Sequence, residues 1–146
     1  MRKNFLFVFG TAWAILCFFI FDRFLKALFL FQPTKSLGFL IFRFSLYRNE
    51  KIFFGLLSFN FLAIVFAAIF VFYLVYWLIY FWHRGRFFSF FAGFLILLGA
   101  LSNLLDRFRY GFVIDYISWP LNFFNLADLM ILAGAILFLI GLLKNK

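Results

Sequence analysis

The sequence predicts an all-α, polytopic membrane protein with four transmembrane helices and a small β-containing loop region. Three observations carry this. Of 146 residues, 68% are hydrophobic and 13% charged, whereas a soluble domain is nearer half apolar and a quarter charged. Four charge-free apolar stretches, 4–21, 52–82, 87–105 and 129–143, divide the chain, and the charged residues collect between them. So short a chain cannot hide this much apolar surface from water. A soluble enzyme, a disordered tail and a nucleic-acid-binding module are therefore excluded, despite a net charge of +9. The length suits a single domain, residues 1–146.

The elements follow in order. Met1-Arg2-Lys3 and the apolar run after it resemble a signal peptide, but no small-residue cleavage site follows: the run ends Phe18-Phe19-Ile20-Phe21-Asp22. It reads as a retained first helix closed by Asp22. The long connection 22–51 contains Pro33, Gly38 and a partly alternating segment, 39–47, that predicts a strand on the membrane surface. Crossing a hydrocarbon core of about 30 Å takes roughly 20 helical residues. Stretch 52–82 is thus one tilted helix, too short for two crossings and a turn. The connection His83-Arg84-Gly85-Arg86 lies on the side of both termini.

The third helix, 87–105, is closed by Asp106. The second long connection, 106–124, shares a face with the first, and its β-branched and aromatic residues at 112–117 predict an extended piece. The charge-free part of the fourth helix reaches only about 22 Å. It must begin near Phe123 or Phe124, which places Asp128 more than a turn inside. Trp82, Trp119, Tyr80 and Tyr116 suit interface anchors. Basic residues flank both sides, so the positive-inside rule does not choose an orientation, although tight clusters at the helix ends lean towards internal termini. Cys17 is the only cysteine, so no intrachain disulfide is possible.

The five acids are the informative exceptions: Asp22, Glu50, Asp106, Asp115 and Asp128 all fall on the loop side. For Glu50 a capping or ion-pairing role is preferred. For Asp22, structural and functional roles are evenly balanced. Asn103, Asp106 and Arg107 stand at i, i+3 and i+4, on one helical face. Asp106 reads as part of a helix-end salt bridge, and Arg107 either joins it or reaches across to hold a catalytic carboxylate. Asp115 interrupts the apolar run Phe112-Val113-Ile114-Asp115-Tyr116-Ile117, where nothing structural calls for a charge. A carboxylate at Asp128, inside the apolar zone, is costly and marks a site, with Asn125 three residues away to orient it.

Two aspartates brought together there have a chemical use. Like charges a few ångströms apart cannot both ionise, so one proton is shared. The ionised member takes a proton from water while the protonated member polarises a carbonyl. His83 lies on the opposite side and Cys17 is mid-helix, which disfavours a Cys–His nucleophile and leaves no zinc ligand cluster.

At these residues the chain resembles lipoprotein signal peptidase, the bacterial signal peptidase II. Asp22-Arg23-Phe24-Leu25-Lys26 keeps that family's Asp-x-x-x-Lys, and Asn49 falls at the Asn of the second motif. Asn103-Leu104-Leu105-Asp106-Arg107 resembles Asn-x-x-Asp-Arg. Val113-Ile114-Asp115-Tyr116 resembles Val-Val-Asp-Phe, and Phe124-Asn125-Leu126-Ala127-Asp128 resembles Phe-Asn-x-Ala-Asp. Each motif is weak alone; five in family order make a specific match. The resemblance implies an aspartic endopeptidase whose catalytic dyad is Asp115 and Asp128. It implies supporting roles around substrate and dyad for Asp22, Lys26, Asn49, Asn103, Arg107 and Asn125.

The implied substrates are diacylglyceryl-modified prolipoproteins, cut just before the lipidated lipobox cysteine. The implied setting is the bacterial cytoplasmic membrane, with both termini cytoplasmic, the β-containing loops and active site extracytoplasmic, membrane lipids as neighbours, a monomer, and no cofactor, metal or nucleic acid. The Phe-rich helices offer a wall for acyl chains, and the basic loop residues suit anionic head groups. The sequence departs from the family where Glu50-Lys51-Ile52-Phe53-Phe54 replaces x-Gly-Ala-Ala-Phe, at Ser102 in place of a glycine, and at Arg23 and Leu25. A different class remains as the alternative: a non-catalytic small membrane protein, such as a transporter subunit or assembly factor. An internal repeat and midplane ionisable groups, expected of a transporter, are not evident. The Gly-x-Gly-Asp motif of presenilin-type proteases is absent.

Overall fold

In the computed structural model, residues 2–34, 36–39, 42–50, 60–120 and 122–144 are described. Their elements are α1 (Arg2–Phe31), β1 (Leu37–Phe39), β2 (Phe42–Asn49), α2 (Asn60–His83), α3 (Phe87–Tyr110), β3 (Val113–Trp119), β4 (Asn122–Phe124) and α4 (Leu126–Lys144). The chain is mostly helical with one small antiparallel sheet, as expected. Among the described residues, three helical segments are long and apolar enough to cross a membrane: Ile64–His83, Phe87–Tyr110 and Leu126–Leu143. Residues 51–59, where the second expected span begins, lie outside the described residues, as do Lys35, Lys51, Lys146 and positions 40–41 of the expected strand.

α3 is the central helix, packed against α1, α2 and α4. Its small residues explain why. Ser89, Ala92, Gly93, Gly99 and Ser102 are all buried, and small side chains let helix backbones approach closely in lipid. A Cβ at Gly99 would stand 2.6 Å from the Ala127 carbonyl oxygen and 2.8 Å from Ile131 Cγ1. From the other side, a Cβ at Gly134 would stand 2.8 Å from the Ala92 carbonyl oxygen. Helices α3 and α4 therefore touch nearly backbone to backbone. Ile15, Phe91, Leu98 and Met130 form the apolar core between α1, α3 and α4. Large side chains such as Phe18, Phe24, Phe66 and Phe72 stay exposed on the outer helix faces, as expected where lipid is the solvent.

The sheet has strand order β1-β2-β3-β4, each neighbouring pair antiparallel. Between β2 and β3, Tyr47 lies opposite Asp115 and Asn49 opposite Val113, and the register shifts between Phe44 and Tyr47. Such an irregularity re-aims the side chains that follow it. The expected extended piece 112–117 lies in β3 apart from Phe112, whereas the expected strand 39–47 is divided: Phe39 ends β1 and residues 42–47 belong to β2, which runs antiparallel to it. Val113, Ile114, Asp115 and Tyr116 are all buried, so this part of β3 is covered on both faces. α3 ends at Gly111, whose φ of 81° suits a residue without Cβ and whose N–H bonds the Arg107 carbonyl at 3.0 Å.

Several boundaries differ from expectation. Asp22 does not close the first helix; α1 continues to Phe31. Asp22, Lys26 and Phe29 recur at helical spacing on its buried face while Phe24 and Phe31 point outward. The charges do not end the helix because partners on α3 and β3 receive them. Likewise α3 runs past Asp106 to Tyr110. α4 begins at Leu126, not near Phe123 or Phe124, which belong to β4. Asp128 therefore sits in the first turn and not deeper. Tyr116 is not an interface anchor: it is completely buried, its ring stacked on Phe29 at 5.7 Å. Trp82, Trp119 and Tyr80 are exposed, as anchors would be.

Candidate active site

The polar residues singled out in the sequence converge where the ends of α1 and α3 meet β3 and the start of α4. Asn125 stands immediately before α4 and caps it. Its side-chain oxygen accepts the Asp128 N–H at 2.9 Å, and the Asp128 carboxylate accepts the Asn125 N–H at 3.1 Å. This is the reciprocal arrangement of a capping box. Asp128 thus takes part in a helix cap, and Asn125 orients it through that cap at the helix start.

Because the Asn125 oxygen is committed to that cap, its Nδ2 points the other way. It donates to Asp115 Oδ1 at 2.6 Å and to Asn103 Oδ1 at 3.2 Å. Asn49 Nδ2 donates to the second Asp115 oxygen at 2.8 Å. Asn103 Nδ2 donates to Asp128 Oδ1 at 2.8 Å. Three amides therefore hold the two carboxylates, and Asn125 touches both. Asp115 lies in β3, where burial first, and then the nearby Asp128 charge, push its carboxyl from 3.8 up to about 6. The Asn49 and Asn125 amides pull in the opposite direction and do not win.

Asn103 is itself oriented from below. The Lys26 ammonium can only donate, and it takes Asn103 Oδ1 at 2.8 Å, which turns the amide nitrogen towards Asp128. Lys26 is fully buried and lies 2.8 Å from Asp106 Oδ2 and 3.2 Å from Asp22 Oδ2. Asp22, also fully buried, accepts Ser102 Oγ–H at 2.6 Å, the Tyr116 hydroxyl at 2.8 Å and the Ala127 N–H at 3.1 Å. The Tyr116 hydroxyl in turn accepts the Leu126 N–H at 3.0 Å. Burial, then the Asp22 charge, raise the affinity of that hydroxyl for its proton, so it remains a donor.

Asp106 is in an ion pair, as read, but with other partners. Arg23 reaches it at 2.5 Å and Lys26 at 2.8 Å, and it accepts the Ile114 N–H at 3.2 Å. Arg107 makes no ion pair among the described residues, so it is not the partner of Asp106. It is half-buried and feels the charges of Asp128, Asp115 and Asp106. Glu50 is exposed, directly after Asn49 at the end of β2. Arg23, Ser102 and Tyr116 are the site residues that the sequence reading missed. One signal was available: Tyr116 follows Asp115 in a strand, so its ring faces the opposite side, towards α1.

The arrangement offers two carboxylates, one of them prone to keep its proton, held by amides and supported by buried charges. No group of three or more His, Cys, Asp and Glu side chains suited to a metal ion occurs among the described residues. The sequence profile described as Signal peptidase (SPase) II matches residues 14–144, which include every residue of this network. The chain belongs to the signal peptidase II family.

Relatives of the family agree locally. A lipoprotein signal peptidase of Syntrophomonas wolfei is 56% identical over 54 residues, covering 35% of each chain. One of Halothermothrix orenii is 46% identical over 55 residues, covering 36% of this chain and 37% of that one. These matches span about a third of the relatives' length. The structural likeness is broader. A bacterial membrane enzyme solved in meso at 2.3 Å superposes with a TM-score of 0.77 at 28% identity, covering 93% of this chain and 89% of that one. A second, solved at 1.9 Å, gives 0.75 at 28% identity, covering 94% and 95%. The family and the apolar helices make this a membrane-embedded protein of the peptidase kind.

Proposed function

We propose that this chain is a membrane aspartic endopeptidase that removes the signal peptides of diacylglyceryl-modified prolipoproteins, cutting just before the lipidated cysteine. The observation that carries the reading is the bridge at Asn125, which holds Asp115 and Asp128 together as a pair. With one proton between them, the ionised carboxylate takes a proton from water. The resulting hydroxide adds to the scissile carbonyl, whose oxygen is polarised by the protonated carboxyl. Collapse of the tetrahedral intermediate breaks the C–N bond and passes a proton to the nitrogen of the lipidated cysteine. The products are the signal peptide carboxylate and the free amine of the lipoprotein. Arg107, whose charge faces the pair without an ion-pair partner among the described residues, suits the polarised carbonyl or the substrate backbone. Asn49, Asn103 and Asn125 orient the pair, and Asp22 and Lys26 support it from below.

In this reading the chain is one domain and a monomer, and α1 is the fourth span through its charge-free part, 4–21. The bacterial cytoplasmic membrane holds both termini inside, and the sheet and aspartate pair lie at the extracytoplasmic face. A lipid-bearing substrate is itself embedded in the bilayer, so a site at the ends of the helices receives it laterally. The test is cleavage of a diacylglyceryl prolipoprotein by purified wild type, Asp115→Asn and Asp128→Asn. Wild type should cleave only the lipidated precursor, and each variant should lose roughly a thousandfold or more while remaining folded. Substantial turnover by either variant would overturn the assignment of the pair.

A further inference from the structure

Beneath the aspartate pair lies a second set of buried charges that the chemistry above does not consume: Asp22, Arg23 and Lys26 of α1 with Asp106 of α3. Asp22, Lys26 and Asp106 are fully buried, and Arg23 is 26% exposed. One lysine cannot neutralise two carboxylates. Arg23 supplies the remaining charge through Asp106, and its Nη1 also bonds the Ser102 carbonyl at 3.1 Å and Ser102 Oγ at 3.2 Å. Ser102 Oγ–H is given to Asp22, so its lone pairs serve the two cations. Two cations and two carboxylates then sum to zero.

This set reaches the aspartate pair by two short links. Asp106 accepts the N–H of Ile114, the residue before Asp115. Lys26 holds Asn103, which holds Asp128. A charge left uncompensated here acts through poorly screened surroundings. We propose that Arg23 is a positioning residue: by neutralising Asp106 it keeps the buried set at zero net charge, and so fixes the pH range in which the aspartate pair holds one shared proton. The inference rests on the reading of Asp115 and Asp128 as a catalytic pair.

The titratable and charged groups around the pair are Asp22, Arg23 and Lys26 from α1, Tyr47 from β2, Asp106 and Arg107 from α3, and Tyr116 from β3. Arg48 and Glu50 at the end of β2 are exposed. Arg107 and Lys26 are left in place in every variant used below. Removing Arg23 leaves the set with a net negative charge, which favours protonated carboxyls. Removing the Asp106 charge does the reverse.

The experiment is the pH–rate profile of prolipoprotein cleavage for wild type, R23Q, R23K, D106N and the double variant R23Q/D106N. R23Q should move both limbs to higher pH by on the order of one pH unit. D106N should move them to lower pH, R23K should sit near wild type, and the double variant should return to it. A merely structural role for Arg23 lowers activity without moving the limbs, and that result overturns the proposal. If R23Q does not fold, the D106N arm decides: no movement, or movement upward, overturns it equally. A wild type that cleaves but shows unshifted variants sinks this inference alone. A wild type that does not cleave sinks the functional reading and this inference with it.

Discussion

Asn125 and Asp128 cap one another at the start of α4, each accepting the other's backbone N–H, at 2.9 Å and 3.1 Å. The same contacts end a strand, start a membrane helix and aim an amide at Asp115. A helix cap thereby becomes part of a site. Asn125→Ala should lower stability by about 1 kcal/mol, the ordinary worth of a cap. It should also cut cleavage by about a hundredfold or more, because a positioned donor is lost. Thermal unfolding in detergent and the cleavage rate, measured together, check this. A stability loss with near-normal cleavage would reduce Asn125 to a cap alone.

The carboxyl of Asp115 gives a pH dependence of stability. Its folded value of about 6 lies above the ordinary 3.8, so the folded protein binds this proton more tightly than the unfolded chain does. The contribution is fully present below pH 3.8 and is lost as pH rises through about 6. By pH 7 the loss is on the order of 2–3 kcal/mol. The stability of wild type minus that of Asp115→Asn should therefore fall between pH 4 and pH 7. Parallel stability curves would count against the burial of this group.

The two glycines of the α3–α4 contact make unequal predictions. Gly99→Ala and Gly134→Ala should each cost about 1–3 kcal/mol, because the new methyl meets a carbonyl oxygen that cannot step aside cheaply. Gly99 faces Ala127, the neighbour of Asp128, whereas Gly134 faces Ala92, far along α3. Cleavage per folded molecule should fall for Gly99→Ala and stay close to normal for Gly134→Ala. Equal losses would show that the contact acts on stability only.

Lys26→Met should be the most damaging change in the lower set, at roughly 3–5 kcal/mol, because it strands buried carboxylates. Tyr116→Phe removes a hydrogen bond to one of them, Asp22, and should cost about 1–3 kcal/mol. Chemical unfolding of the two variants beside wild type orders them. A reversed order would contradict the ion-pair distances around Lys26.

Much of this was legible in the chain. Apolar stretches of about 20 residues announce membrane helices because lipid leaves the backbone few other choices. Asp115 stood out because a charge in a β-branched, aromatic run has no structural excuse. Helix ends were harder. Asp22 and Asp106 look like stop signals, yet both lie within helices because Lys26 and Arg23 carry the compensating charge. Asp22 has Lys26 four residues on, but Asp106 depends on Arg23 and Lys26 some 80 residues away, which no local pattern displays. Asp128 was placed too deep because β4 could not be seen, and β4 takes up Phe123 and Phe124 before the helix starts. Arg23 and Ser102 looked like departures from a family pattern; in three dimensions they bind each other.

The wide sequence gap between α1 and its partners has a consequence for biogenesis. Arg23 and Lys26 emerge from the ribosome with Asp22, but Asp106 follows 83 residues after Arg23. At roughly 5–20 residues per second that is a wait of about 4–17 s. Through that interval the outer end of α1, in the proposed topology, carries a net positive charge that cannot enter the bilayer interior at low cost. It must stay at the water boundary until α3 arrives. The charged support beneath the aspartate pair therefore cannot be complete before α3 has been made.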